Sequence, residues 1–90
     1  MLFYVYLLYS PSANKYYVGQ TDDLTYRLLV HNELGSGSYT SRYRPWELKW
    51  WMEVPSRSLA MQVEQYIKGR KSRTYLERLI GLLPGGHDMR

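Results

Sequence analysis

The sequence predicts a small α+β domain, a three-stranded antiparallel sheet of order 2-1-3 packed with about three helices. Two strand patterns and a pair of helical patterns carry that expectation. Leu2 to Tyr9 is apolar on both alternate sets, as a strand covered on both faces requires. Glu47 to Val54 alternates, with Leu48, Trp50, Met52 and Val54 facing one way and Glu47, Lys49, Trp51 and Glu53 the other. Helical spacing appears before Gly35 and again between Leu59 and Gly81. Only the first strand has two apolar faces, so it belongs between the others.

The elements follow in chain order. Pro11 and Asn14 mark a turn after the first strand, and Tyr16-Tyr17-Val18-Gly19 returns as the second strand of a hairpin. Thr21 can cap the first helix, placing Asp22 and Asp23 in the first turn beside the positive end of its dipole. That helix is expected to run to about Leu34, with Gly35 stopping it. A flexible loop from Gly35 through Arg42, Arg44 and Pro45 leads to the third strand, read as an edge strand with one buried face. Ser56 or Ser58 caps a helix from about Leu59 to Gly69, and Ser72 starts a shorter one that Gly81 ends. Ninety residues hold one domain, expected at 1–81, with 82–90 as a flexible tail.

Composition narrows the chemistry. There is no cysteine, which excludes disulfides and thiolate metal sites and suits a cytoplasmic setting. The first apolar run is too short to span a bilayer, and no basic stretch precedes it as in a signal peptide. A net charge of +4 favours a polyanionic partner. Ten tyrosines against one phenylalanine suggest phenols on a wet or reactive surface, because a buried hydroxyl needs a hydrogen-bond partner.

Candidate site residues emerge from the helical patterns. Arg27 and His31, four apart, share a helical face inside an arc marked by Leu24, Leu28, Val30 and Leu34. An inward arginine reads as catalytic, as half of a buried salt bridge, or as a side chain reaching out past its neighbours. His31 reads as catalytic or as a hydrogen-bonded core histidine. Glu64 borders the apolar stripe of the next helix, beside Ala60. It is either a solvated surface carboxylate or a metal ligand, since one carboxylate with waters and phosphate oxygens can hold Mg²⁺. Arg42 and Arg44, with Lys68, Arg70, Lys71 and Arg73, form two basic clusters suited to tracking a phosphate backbone. No phosphate-binding glycine loop, paired His/Cys spacing or serine elbow is present.

Taken in order, Tyr4-Val5-Tyr6, Tyr17-Val18-Gly19, Thr21, Asp23-Leu24, Arg27-Leu28, His31-Asn32, Gly35, Pro45-Trp46-Glu47-Leu48, Ala60, Glu64, Ile67-Lys68 and Ser72-Arg73 resemble the GIY-YIG nuclease superfamily. The likeness is to its small stand-alone bacterial members, related to the N-terminal nuclease domain of the excinuclease C subunit. It covers nearly the whole chain. The resemblance implies a metal-dependent endonuclease cutting DNA, with RNA as an alternative substrate, directed to branched or damaged structures. It implies that Tyr17 activates the attacking water and that Tyr6 positions the water or the phosphate. Arg27 would stabilise charge at phosphorus, and His31 would contact the phosphate or assist proton transfer. Glu64 would hold one Mg²⁺ or Mn²⁺, and Gly19 would permit close backbone approach. Some relatives have a lysine after the second tripeptide, where this chain has Gln20, and some have a late asparagine that is missing here. Those departures support an alternative, a catalytically weak nucleic-acid-binding module of the same fold. An interaction protein with a tyrosine-rich partner surface is the third reading. With no further domain in the sequence, substrate choice falls to this surface or to a protein partner.

Overall fold

The computed structural model describes residues 2–34 and 39–82. Strands β1 (Phe3–Ser10), β2 (Lys15–Thr21) and β3 (Glu47–Val54) form one antiparallel sheet in the order β2-β1-β3. Around it lie α1 (Leu24–Asn32), α2 (Tyr39–Arg42), α3 (Arg57–Arg70) and α4 (Arg73–Leu82). The α+β architecture and the strand order agree with the sequence reading.

Because neighbouring side chains on a strand point to opposite faces, β1 divides the core in two. Val5 and Leu7 join Val18, Trp50, Val54, Ala60 and Ile67, with Val63 of α3 and Leu76, Leu79 and Ile80 of α4 packed against them. Tyr6 and Leu8 join Trp46 on the opposite face, covered by Leu24 and Leu28 of α1. The sheet is therefore filled on both sides, and the second face carries Tyr6 and Tyr17.

Three readings around α1 change. Asp23, not Thr21, caps α1, accepting the Tyr26 N–H at 3.0 Å. Thr21 closes β2 instead and accepts the Asp23 N–H at 3.1 Å. α1 ends at Asn32 with Glu33 as its C-cap, so the expected stop at Gly35 lies outside the described residues, as does the loop over 35–38. The segment expected to be loop contains α2, a single turn with no amphipathic repeat to announce it.

The strict alternation of β3 breaks at one point. Leu7 faces Trp50 while Leu8 faces Leu48, so Lys49 is an extra residue in a bulge. Leu48 and Trp51 consequently pack with Tyr6 and Leu8, and Trp50 and Val54 pack on the other side. The expected single buried face of β3 becomes two covered faces. Ser56 caps α3, accepting the Leu59 N–H at 3.2 Å, and Lys71 ends it in the left-handed region at φ 48°. α4 continues through Gly81 to Leu82, so Leu82 belongs to a helix rather than to the expected tail. The rest of that tail lies outside the described residues. Among the described residues, no helix is long and apolar enough to cross a membrane.

Candidate active site

The hairpin register builds the first wall. Tyr6 pairs with Gly19 and Leu8 with Tyr17, so the two tyrosines and the glycine share one face of the sheet. The Tyr6 and Tyr17 ring centroids are 6.4 Å apart. An ideal β-carbon on Gly19 would come within 3.1 Å of the Tyr17 ring and closer still to Tyr6, so only glycine lets Tyr6 lie flat against β2. Tyr6 is buried, and Tyr17 is half-buried beside it. Tyr4 packs edge-on against Trp51 at 6.0 Å.

α1 supplies the next residue. His31 is buried, with Nε2 2.8 Å from the Tyr6 hydroxyl and Nδ1 2.9 Å from Oγ1 of Thr40. Its ring also meets Tyr17 edge-on at 5.0 Å. Thr40 is buried in turn, and its carbonyl accepts the Trp46 indole N–H at 2.7 Å. Asn32, next to His31, exchanges two bonds with the Trp46 backbone, at 2.6 and 3.0 Å. The end of α1 is thus stitched to the segment entering β3.

Burial sets the electrostatics of this pair. It pushes the Tyr6 phenol well above the ordinary tyrosine range, Tyr17 and Glu64 add to the shift, and Arg27 opposes it. Burial also pulls His31 down to about 4, helped by the guanidinium groups of Arg27 and Arg44. At neutral pH the phenol keeps its proton and the imidazole is uncharged. Both ring nitrogens face protein partners, so His31 bears on the site through Tyr6.

Arg27 is solvent-exposed, not drawn into the core, and its guanidinium makes no hydrogen bond or ion pair among the described residues. Its charge nonetheless reaches both Tyr6 and His31. A solvated guanidinium at the edge of a phenol-lined wall can accept a phosphate without first breaking a salt bridge. Glu64 comes from α3 with its side chain only 15% exposed, and its carboxylate also bears on Tyr6. Lys68 pairs with it at 3.0 Å one helical turn on. Among the described residues, no cluster of three or more histidines or carboxylates could hold a metal ion. A hard divalent ion held by Glu64 would therefore draw its other oxygens from water and phosphate, as Mg²⁺ commonly does.

The basic residues separate by environment. Arg42, Arg70 and Lys71 are exposed. Arg70 lies over the Tyr66 and Tyr75 rings at 5.9 and 5.1 Å. Arg73 pairs with Glu77 at 3.3 Å, bonds to Asn14 of the hairpin turn and lies over the Tyr16 ring at 5.0 Å. Arg44 is half-buried and donates to the carbonyls of Val30, His31 and Leu34 at 3.0, 2.7 and 2.5 Å. It closes the C-terminal end of α1, whose last carbonyls lack partners within the helix.

Thr40 and Tyr39 have no place among the residues expected from sequence, and Trp46 stands there only within the ordered motif, with no role of its own. Tyr39 is about half exposed, with its ring 6.4 Å from Tyr17 and inclined 28° to it, so it extends the aromatic wall outward. Isolated polar or aromatic residues in a segment without periodicity carry no signal that could have singled them out.

Three comparisons bear on this arrangement. A family model described as the GIY-YIG catalytic domain matches residues 2–76. The UPF0213 protein YazA of Bacillus subtilis is 36% identical over 67 residues, covering 71% of this chain and 68% of that protein. The solution structure of the UPF0213 protein BH0048 from Bacillus halodurans superposes with a TM-score of 0.58 at 32% identity, covering 94% of this chain and 88% of that one.

Proposed function

The chain belongs to the GIY-YIG catalytic domain family, and from that premise we propose that it is a metal-dependent endonuclease hydrolysing phosphodiester bonds in DNA. The observation that carries the reading is that Tyr6 is hydrogen-bonded to His31, lies beside the Tyr17 ring and feels the opposite charges of Arg27 and Glu64. A cation for developing charge and a carboxylate for a metal are groups that phosphodiester hydrolysis can use. Tyr17, the more accessible phenol, faces the attacking water and, in its phenolate form, receives its proton. Tyr6, held protonated, positions that water. Arg27 stabilises the charge growing on the phosphoryl oxygens, a preorganised electrostatic role.

Glu64 is the carboxylate that would hold one Mg²⁺ or Mn²⁺, and the bound ion would lower the cost of expelling the leaving alkoxide. Lys68, now paired with Glu64, would then be available to the phosphate backbone. Arg42, Arg70, Lys71 and Arg73 supply sequence-independent contacts to the DNA, with Arg44 supporting that surface from the end of α1. RNA presents the same phosphates. The domain that performs this chemistry, in the cytoplasm, runs to the end of α4 at Leu82. The choice of branched or damaged DNA comes from this surface or from a protein partner.

The test is nicking of branched and damaged DNA with Mg²⁺ or Mn²⁺, compared with chelator and with the Glu64→Ala and Arg27→Ala proteins. Loss of nicking in all three is the expected result. Equal residual activity would identify a contaminant and sink the assignment.

One observation favours a second reading. The Glu64 carboxylate already has Lys68 as its counter-ion at 3.0 Å, which competes with a metal. A binding module without turnover would show salt-sensitive nucleic-acid binding and no cleavage on any substrate.

A further inference from the structure

The site contains a buried polar chain that extends beyond the five expected residues. The Trp46 indole N–H holds the Thr40 carbonyl, Thr40 Oγ1 meets His31 Nδ1, and His31 Nε2 meets the Tyr6 hydroxyl. Trp46, Thr40, His31 and Tyr6 are all buried, with Tyr6 only 2% exposed. At such a depth the direction of each hydrogen bond matters, because a buried donor left without a protein acceptor is costly.

The phenol fixes the direction. Tyr6 keeps its proton, for the reasons of burial given above, and that O–H needs an acceptor. Among the described residues, the hydroxyl has one hydrogen-bond partner, His31 Nε2. An imidazole that accepts at Nε2 while neutral must carry its own proton on Nδ1. That N–H in turn points at Thr40 Oγ1, 2.9 Å away. The opposite polarity would leave the phenolic hydrogen with no acceptor among the described residues.

We propose that Thr40 is a positioning residue which, by accepting the His31 Nδ1–H, fixes the imidazole tautomer and so turns the Tyr6 oxygen lone pairs toward the substrate. This rests on the nuclease reading for its consequence, not for its geometry. With its hydrogen committed to His31, Tyr6 can only accept from the site. It therefore orients the attacking water by taking one of that water's hydrogens, and does not donate to the phosphate. The polarity of a catalytic phenol is thus set two residues away, from a one-turn helix.

The tautomer can be read on the full chain labelled with ¹⁵N, without nucleic acid or metal, from two-bond proton–nitrogen correlations of His31 at neutral pH. The chain has two histidines, and a His87→Gln protein assigns the signals. The expected spectrum shows a protonated Nδ1 and a bare Nε2. In Thr40→Val the tautomer population moves toward Nε2–H, and kcat for nicking falls about ten- to a hundred-fold, by analogy with partners that orient metal-bound histidines. KM is expected to stay within about two-fold, because no ground-state contact is lost. Thr40→Ser, which keeps the acceptor, restores both readouts.

A native protein with Nε2 protonated overturns the proposal, and so does a Thr40→Val protein whose tautomer is unchanged. If Thr40→Val does not fold, the native and Thr40→Ser spectra still decide. Absence of nicking by the native chain on any substrate would count against the nuclease reading, while the spectrum would still decide the role of Thr40.

Discussion

A β-carbon on Gly19 would lie 2.5 Å from the Tyr6 hydroxyl oxygen and 2.6 Å from the ring carbon bearing it. The phenol is buried between β2 and His31, so it has little space in which to yield. Gly19→Ala is expected to displace the ring, break its bond to His31 and destabilise the fold by about 1–3 kcal/mol, as overpacking does. Chemical denaturation with both a stability and a nicking readout checks this. An unchanged midpoint would show that the ring can move aside.

The two phenols should separate stability from activity. Tyr6→Phe strips a buried histidine nitrogen of its partner and is expected to cost about 1–3 kcal/mol. The Tyr17 hydroxyl makes no hydrogen bond among the described residues, so Tyr17→Phe should stay within about 0.5 kcal/mol of native. Both variants are expected to lose nicking. A Tyr17→Phe protein that cuts at the native rate would remove Tyr17 from the chemistry.

His31 gives a pH signature with a definite sign. Its folded-state pKa is about 4 against an ordinary 6.5, so between those values the unfolded chain binds more protons. Stability from this residue is therefore complete above about pH 6.5 and falls as pH drops toward 4. The slope should approach ~1.4 kcal/mol per pH unit within that window. Arg27 and Arg44 face the same imidazole and oppose its protonation. Since carboxylates titrate nearby in pH, the measurement is the difference between native and His31→Gln urea midpoints across the window. Parallel curves would contradict a buried neutral imidazole.

Arg42 and Arg44 should part company although they are two residues apart. Arg44→Met removes three bonds to the end of α1 and is expected to destabilise the protein by about 2–3 kcal/mol, as the loss of charge-assisted bonds does. Arg42→Ala, on an exposed side chain, should leave stability unchanged within about 0.5 kcal/mol. It should lower nucleic-acid affinity and reduce the dependence of binding on salt by about one charge. Thermal melts beside binding isotherms at several salt concentrations would separate the two roles. Equal melting temperatures would refute the helix-closing role of Arg44.

Much of the fold can be read along the chain because its signals are local. The doubly apolar pattern of β1 and the alternation of β3 follow from side chains that point to opposite faces. The misreadings have equally specific causes. Lys49 enters a bulge, which turns Leu48 to the other face, and no residue type marks that position. Asp23 and Thr21 are both good caps, and the choice between them depends on where β2 stops pairing with β1. Helical spacing placed Arg27 and His31 on one face, yet one is exposed and the other buried. Which of the two is covered depends on α2 and Trp46, which pack against the end of α1.

By itself the sequence determined the sheet, its strand order, the two tyrosine tripeptides on adjacent strands and the candidates Arg27, His31 and Glu64. Each rests on periodicity or on the order of motif residues, which survive in one dimension. Only the tertiary structure decided that Tyr6 is buried against Gly19, that His31 reaches the site through Tyr6, that Arg44 closes a helix and that Thr40 stands behind the histidine. Those relations join residues far apart in the chain. They depend on which hydrogen bonds burial makes obligatory, and that is settled only when the elements pack.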